Sequence, residues 1–131
     1  MISEFDATGL KWLPRTDIVY TCVQPSTAVL RALVSDGVRE VVFAGSGAGS
    51  VPRIQQDALV ALMESLPRGR RPGIVRSSRT GNGRVICAGE YDALGMIPAD
   101  TLNPQKARVL LMPALLKTSD PGEIRRMFCG Y

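Results

Sequence analysis

Short runs that are apolar on both sides alternate along this chain with segments that are apolar on one face only. Residues 17–23 (Asp-Ile-Val-Tyr-Thr-Cys-Val), 40–44 (Glu-Val-Val-Phe-Ala) and 73–77 (Gly-Ile-Val-Arg-Ser) are rich in β-branched residues and too short for helices. Such near-continuous runs suit strands covered on both faces. Between the first two, residues 26–36 carry Ala28, Val29, Ala32 and Leu33 on one stripe, with Ser26 as a cap and Gly37 as a left-handed stop. Residues 54–66 repeat the pattern with Ile54, Ala58, Leu59, Leu62 and Met63. Residues 94–97 form a short fourth strand. Asn103 caps a third helix that has Pro104 at its first position, where a missing N–H costs nothing, and runs to Met112. Asp120, three residues before Glu123, opens a last helix ending near Cys129. Parallel strands need crossovers, and these segments supply them. The expected fold is therefore α/β, a small parallel sheet of about four strands with flanking helices, Rossmann-like in plan.

Sheets of this kind bind ligands beyond the carboxyl ends of their strands. Gln24, the turn 45–50 (Gly-Ser-Gly-Ala-Gly-Ser) and the long irregular stretch 78–91 should gather at that edge. A glycine-rich turn between strand and helix raises the dinucleotide fingerprint. Here Ser50 stands where its third glycine belongs, and the third strand exits as Arg76-Ser77-Ser78, without the acid that would hold a ribose. The glycines then serve a tight turn, and the open question is what Ser50 faces. In the long loop, Glu90 reads first as a solvated carboxylate, although loops of this length in compact domains are often functional.

Reactive groups are scarce. The chain has no histidine, which removes Ser-His-Asp and Cys-His catalysis. Its cysteines, Cys22, Cys87 and Cys129, match no metal-ligand spacing and form no complete disulfide framework. The lysines are Lys11, Lys106 and Lys117, the last two expected on or beside the third helix. No catalytic residue, metal ligand or cofactor site follows from pattern alone, which favours a non-catalytic α/β module. The net charge of +4 owes much to Arg68, Arg70 and Arg71, but Pro and Gly flank them and no aromatics interleave. That reads as a solvated loop rather than a nucleic-acid face. No apolar run approaches the roughly 20 residues of a membrane span, and residues 1–9 carry no apolar signal core.

Taken together, several segments resemble the bacterial type II L-asparaginases. Phe5-Asp6 and residues 13–20 resemble the stretch that joins that family's two domains and enters the second. Residues 42–50 resemble its glycine-rich turn, and residues 75–83 its third-strand exit. Thr101-Leu102-Asn103-Pro104-Gln105-Lys106-Ala107-Arg108 is the most specific segment, and Lys117-Thr118-Ser119-Asp120-Pro121 with Tyr131 closes the match. The resemblance implies a C-terminal asparaginase domain over residues 17–131, preceded by an interdomain linker remnant at 1–16.

It also implies a chemistry: hydrolysis of L-asparagine, and in some members L-glutamine, to the acid and ammonia, without metal or cofactor. In the family the threonine nucleophile and the Thr-Lys-Asp group belong to the N-terminal domain, so the expectation is that this chain alone is inactive. The C-terminal domain of one subunit lends polar residues to its neighbour's site. By that resemblance, Ser50 matches an Asn or Ser at the end of the glycine-rich turn, and Glu90 matches a Glu near the substrate's α-amino group. Homo-oligomers are implied, as is a periplasmic location, while neither nucleic acid nor membrane is an expected partner. The alternative from another class is a stand-alone amino-acid-binding or interaction module that has lost catalysis. The chain departs from the family at residues 22–25 and at Pro113, where an interior proline should end or bend the third helix.

Overall fold

The computed structural model describes residues 3–131. Four strands form one sheet in sequential order, all parallel: β1 (Thr16–Tyr20), β2 (Glu40–Gly45), β3 (Gly73–Ser78) and β4 (Met96–Pro98). The connections are α1 (Ala28–Ser35), α2 (Arg53–Ser65) with a 3₁₀ turn at Arg68–Arg70, and α3 (Gly89–Ala93). α4 (Pro104–Lys117) and α5 (Pro121–Gly130) complete the chain. Sequential parallel strands joined by crossovers of one hand put every connecting helix on the same face. The core divides accordingly. Val41, Phe43 and Ile74 pack under Leu30 and Val34 of α1, Leu59 of α2 and Tyr91 of α3. Val42, Val75 and Ile97 point the other way, against Ala107, Leu111 and Leu115 of α4 and Ile124 and Phe128 of α5. β2 is buried along its whole length, as its unbroken apolar run requires.

The boundaries moved where tertiary contacts took over. β1 ends at Tyr20 rather than Val23, because pairing with β2 stops there, and Val23 is 92% exposed. Ser26 does accept from the Ala28 amide (3.2 Å), but α1 begins two residues later than its pattern suggested. The loop 78–91 is not wholly irregular, since Gly89–Ala93 is helical. Asn103 caps α4 as expected, accepting from the Lys106 amide at 2.8 Å, and Asp120 caps α5 through the Glu123 amide at 3.0 Å.

Pro113 neither ends nor visibly divides α4, which continues to Lys117. Without a proline N–H the Val109 carbonyl loses its partner four residues on. Val109 lies on the solvent side, 60% exposed, where water can take that role. Beyond the proline, Ala114 and Leu115 are buried, and Leu115 packs in the core with β2 and β3.

The segment ahead of β1 also packs. The Phe5 and Tyr131 rings stack at 5.8 Å, the Glu4 amide donates to Tyr131 Oη at 2.9 Å, and Arg126 pairs with Glu4 at 3.1 Å.

Candidate functional site

The carboxyl edge of the sheet is assembled around one arginine. Arg76, in the middle of β3, points to the face covered by α1–α3 and is 3% exposed. Its Nη1 donates to the carbonyls of Ala48 (2.9 Å) and Gly49 (3.3 Å), and its Nη2 to that of Ile86 (2.5 Å). The guanidinium carbon lies 4.2 Å from the centroid of the Tyr91 ring, a cation–π distance. One side chain thus holds both the glycine-rich turn and the long loop. Burial draws the guanidinium below the usual arginine range, while Tyr91, Asp92, Cys87 and Glu90 oppose that shift. Three carbonyls and a ring face stand in for lost water.

The turn itself is closed. Ser46 and Ser50 exchange backbone hydrogen bonds at 3.1 and 2.7 Å. These amides are consumed within the turn rather than presented to a phosphate, and α2 starts later, at Arg53. The geometry requires glycine at two positions. A Cβ on Gly45 would fall 2.5 Å from the Gly49 carbonyl carbon, and Gly49 has φ +80° with Val85 methyl groups 2.9–3.0 Å from where its Cβ would be. The end of β3 wraps the turn from the other side. Ser78 Oγ donates to Gly47 O (2.5 Å), and the Arg79 amide donates to Gly45 O (2.8 Å).

Two bridges hold the long loop. Val85 pairs through its backbone with Asp100, at 2.9 and 3.2 Å, and Arg84 makes a bidentate contact with the Asp100 carboxylate at 2.5 and 2.8 Å. Arg84 keeps that carboxyl below its ordinary range.

Ser50 is exposed at the end of the turn, and Glu90 is exposed in the first turn of α3. Their sequence neighbours bind one another: the Val51 amide donates to Tyr91 Oη at 3.2 Å. The elements carrying the two residues are therefore joined at one edge, with both side chains outward. Gln24 belongs to the same edge, beyond β1, in a left-handed conformation (φ 52°). The residues that reasoning from sequence passed over are Arg76 and Tyr91, which build the edge without facing solvent. A lone arginine within an otherwise apolar strand was the available signal for Arg76, since a buried charge requires partners.

No activated nucleophile stands out. Ser78 Oγ and Thr80 Oγ1 are 2.9 Å apart, but Lys106 and Lys117 lie on α4 and the chain has no histidine to take their protons. Among the described residues no cluster of three or more His, Cys, Asp or Glu side chains could hold a metal ion, and no helix is long and apolar enough to cross a membrane.

Comparison with known proteins fits this geometry. The chain is 39% identical to L-asparaginase 2 of Bacillus subtilis over 129 residues, which cover 98% of the chain and 33% of that protein. It is 37% identical to L-asparaginase 2 of Escherichia coli, covering 97% of the chain and 36% of the relative. It is also 37% identical to the glutaminase-asparaginase of Pseudomonas fluorescens, covering 100% and 36%. The chain spans about a third of the length of these relatives. Among solved structures, a probable cytoplasmic L-asparaginase from Campylobacter jejuni superposes with a TM-score of 0.85 at 42% identity, over 97% of this chain and 38% of the other. The model of the glutaminase/asparaginase C-terminal domain matches residues 15–128, and the chain belongs to that family.

Proposed function

We propose that residues 17–131 serve as the C-terminal domain of an enzyme that hydrolyses L-asparagine to L-aspartate and ammonia, with residues 1–16 as the connection to a catalytic domain. In this reading Ser50 and Glu90 position substrate in a site whose nucleophile lies on that other domain. Glu90 would face the substrate's ammonium as a charge partner, and Ser50 would offer a hydroxyl at the rim. The observation that carries the reading is the Val51–Tyr91 hydrogen bond, because it ties the two elements bearing Ser50 and Glu90 into one outward edge. Alignment of reactants in such a site is worth orders of magnitude in rate, but only when a nucleophile is present to be aligned.

Self-association belongs to the same reading. Trp12 (66% exposed), Val23 (92%) and Val109 (60%) leave apolar side chains open to a neighbouring subunit. The test is ammonia release from L-asparagine by the purified chain, alone and with an asparaginase N-terminal domain added. The expected result is no release alone and recovery on addition. Release by the chain alone would overturn the assignment and direct attention to Ser78 and Thr80.

A further inference from the structure

The amino edge of the sheet, opposite the edge that bears Ser50 and Glu90, encloses a second feature. A cavity of about 500 Å³ opens there between the start of β2, the 3₁₀ turn and the start of α5. Glu40 and Gly73, paired across β2 and β3, line its floor, and Arg39, Arg68, Arg70 and Arg71 line its rim. The Glu40 carboxyl folds across the Gly73 backbone, and a Cβ at position 73 would overlap it. Glu40 is only 6% exposed, and its Oε2 has no hydrogen-bond partner among the described residues. Its register neighbour on β1, Thr16, is fully buried with an equally unpartnered Oγ1.

Buried carboxylates are normally paired, because desolvating a charge without a partner is costly. Among the described residues nothing hydrogen-bonds the Glu40 Oε2, and burial pushes the carboxyl up to about 7, a shift that the charge of Arg39 offsets only in part. The rim is the reverse case. All four arginines are exposed, and none makes an ion pair among the described residues. Arg71 spends its Nε on the Leu66 carbonyl at 3.1 Å. A simple anion attracted by the rim would meet the Glu40 charge below it. A simple amine suited to Glu40 would have to pass four guanidinium groups. A molecule with a cation at one end and an anion at the other answers both when Glu40 is ionised.

We propose that this cavity binds a small zwitterion of the amino-acid class, its ammonium on the Glu40 carboxylate and its carboxylate on the rim guanidiniums. The proposal does not rest on the asparaginase reading, since none of its residues belongs to the Ser50–Glu90 edge.

The test is a titration of the isotope-labelled chain, followed by amide chemical shifts at low ionic strength, where charge pairing is least screened. The probes are glycine, β-alanine and 4-aminobutyrate, with propylammonium and propionate as single-ended controls. At least one zwitterion should give saturable shifts at Arg39, Glu40 and residues 69–73, binding about tenfold or more tightly than either control, as one charge-assisted contact implies. Glu40→Gln should weaken that binding by about tenfold or more. If that variant does not fold, the surface pair Arg39→Ser and Arg70→Ser serves instead, and loss of the preference for zwitterion over propylammonium supports the site. Three outcomes overturn the proposal: no saturable shift with any zwitterion, a control binding as tightly as the zwitterions, or unchanged binding in the variant tested.

Discussion

Replacing Glu40 by glutamine should make the protein more stable at neutral and alkaline pH. Burial raises this carboxyl from 4.5 to about 7 in the folded chain, whereas in the unfolded chain it titrates at its ordinary value. Between those two values the folded state binds more protons than the unfolded state. Stability therefore falls as pH rises through that window and levels off above about 7. At about 1.4 kcal/mol per pH unit, the loss amounts to roughly 3 kcal/mol. Glutamine keeps the shape and cannot ionise. The variant should match the parent near pH 4.5 and exceed it by about 2–3 kcal/mol at pH 8, a gain of several degrees in Tm for a domain of this size. The other shifted groups do not blur the window. Asp6 and Asp100 are held low, so their contributions are lost only under more acidic conditions, and Cys129 is pushed above 9.0. The measurement is urea unfolding followed by far-ultraviolet circular dichroism between pH 4.5 and 8.5, comparing midpoints at equal slope. A parent whose stability is flat across that range would refute the reasoning, because Glu40 would then have to be solvated or paired. So would a variant destabilised equally at both ends.

Arg76→Met keeps bulk in the core but leaves the carbonyls of Ala48, Gly49 and Ile86 without their donor. It should cost about 2–4 kcal/mol in urea unfolding and open residues 46–50 and 80–88 to proteolysis, while Arg76→Lys should recover part of the loss. Pro113→Ala restores a donor to the Val109 carbonyl and should raise stability by about 1–3 kcal/mol, read as a higher Tm; an unchanged Tm would mean that water already satisfies that carbonyl fully. In the chain complemented by an N-terminal domain, Ser50→Ala and Glu90→Ala should raise KM for asparagine, Glu90→Ala by about tenfold or more, with Tm unchanged because both side chains are exposed. A fall in Tm without any change in KM would make them structural.

Glu90 shows where reading along the chain reaches its limit. It sits in a helix of five residues, too short for a 3.6-residue period to register, so the stretch read as loop. Pro113 shows a local rule overridden. Propensity argues for a break, but burial of Ala114 and the packing of Leu115 in the core with β2 and β3 outweigh one lost backbone bond on the solvent side. The capping of α4 by Asn103 and of α5 by Asp120 came out as expected, because a cap involves residues only three apart.

That difference in range separates what the sequence by itself determined from what the tertiary structure decided. Strand identity, caps and the parallel sheet follow from side-chain period and from backbone preferences acting over a few residues. The face of α1 does not: Ala28, Val29 and Ala32 of the expected stripe are exposed, and Leu30 and Val34 turn to the sheet instead. The partners of Arg76 lie 28, 27 and 10 residues away, and Tyr91 reaches across 40 residues to the Val51 amide. Glu40 is buried and unpartnered only because register sets it beside Thr16 and a glycine at 73 leaves room for its carboxyl. Those contacts depend on how the sheet pairs and how loops fold back over its ends, and no local pattern encodes them.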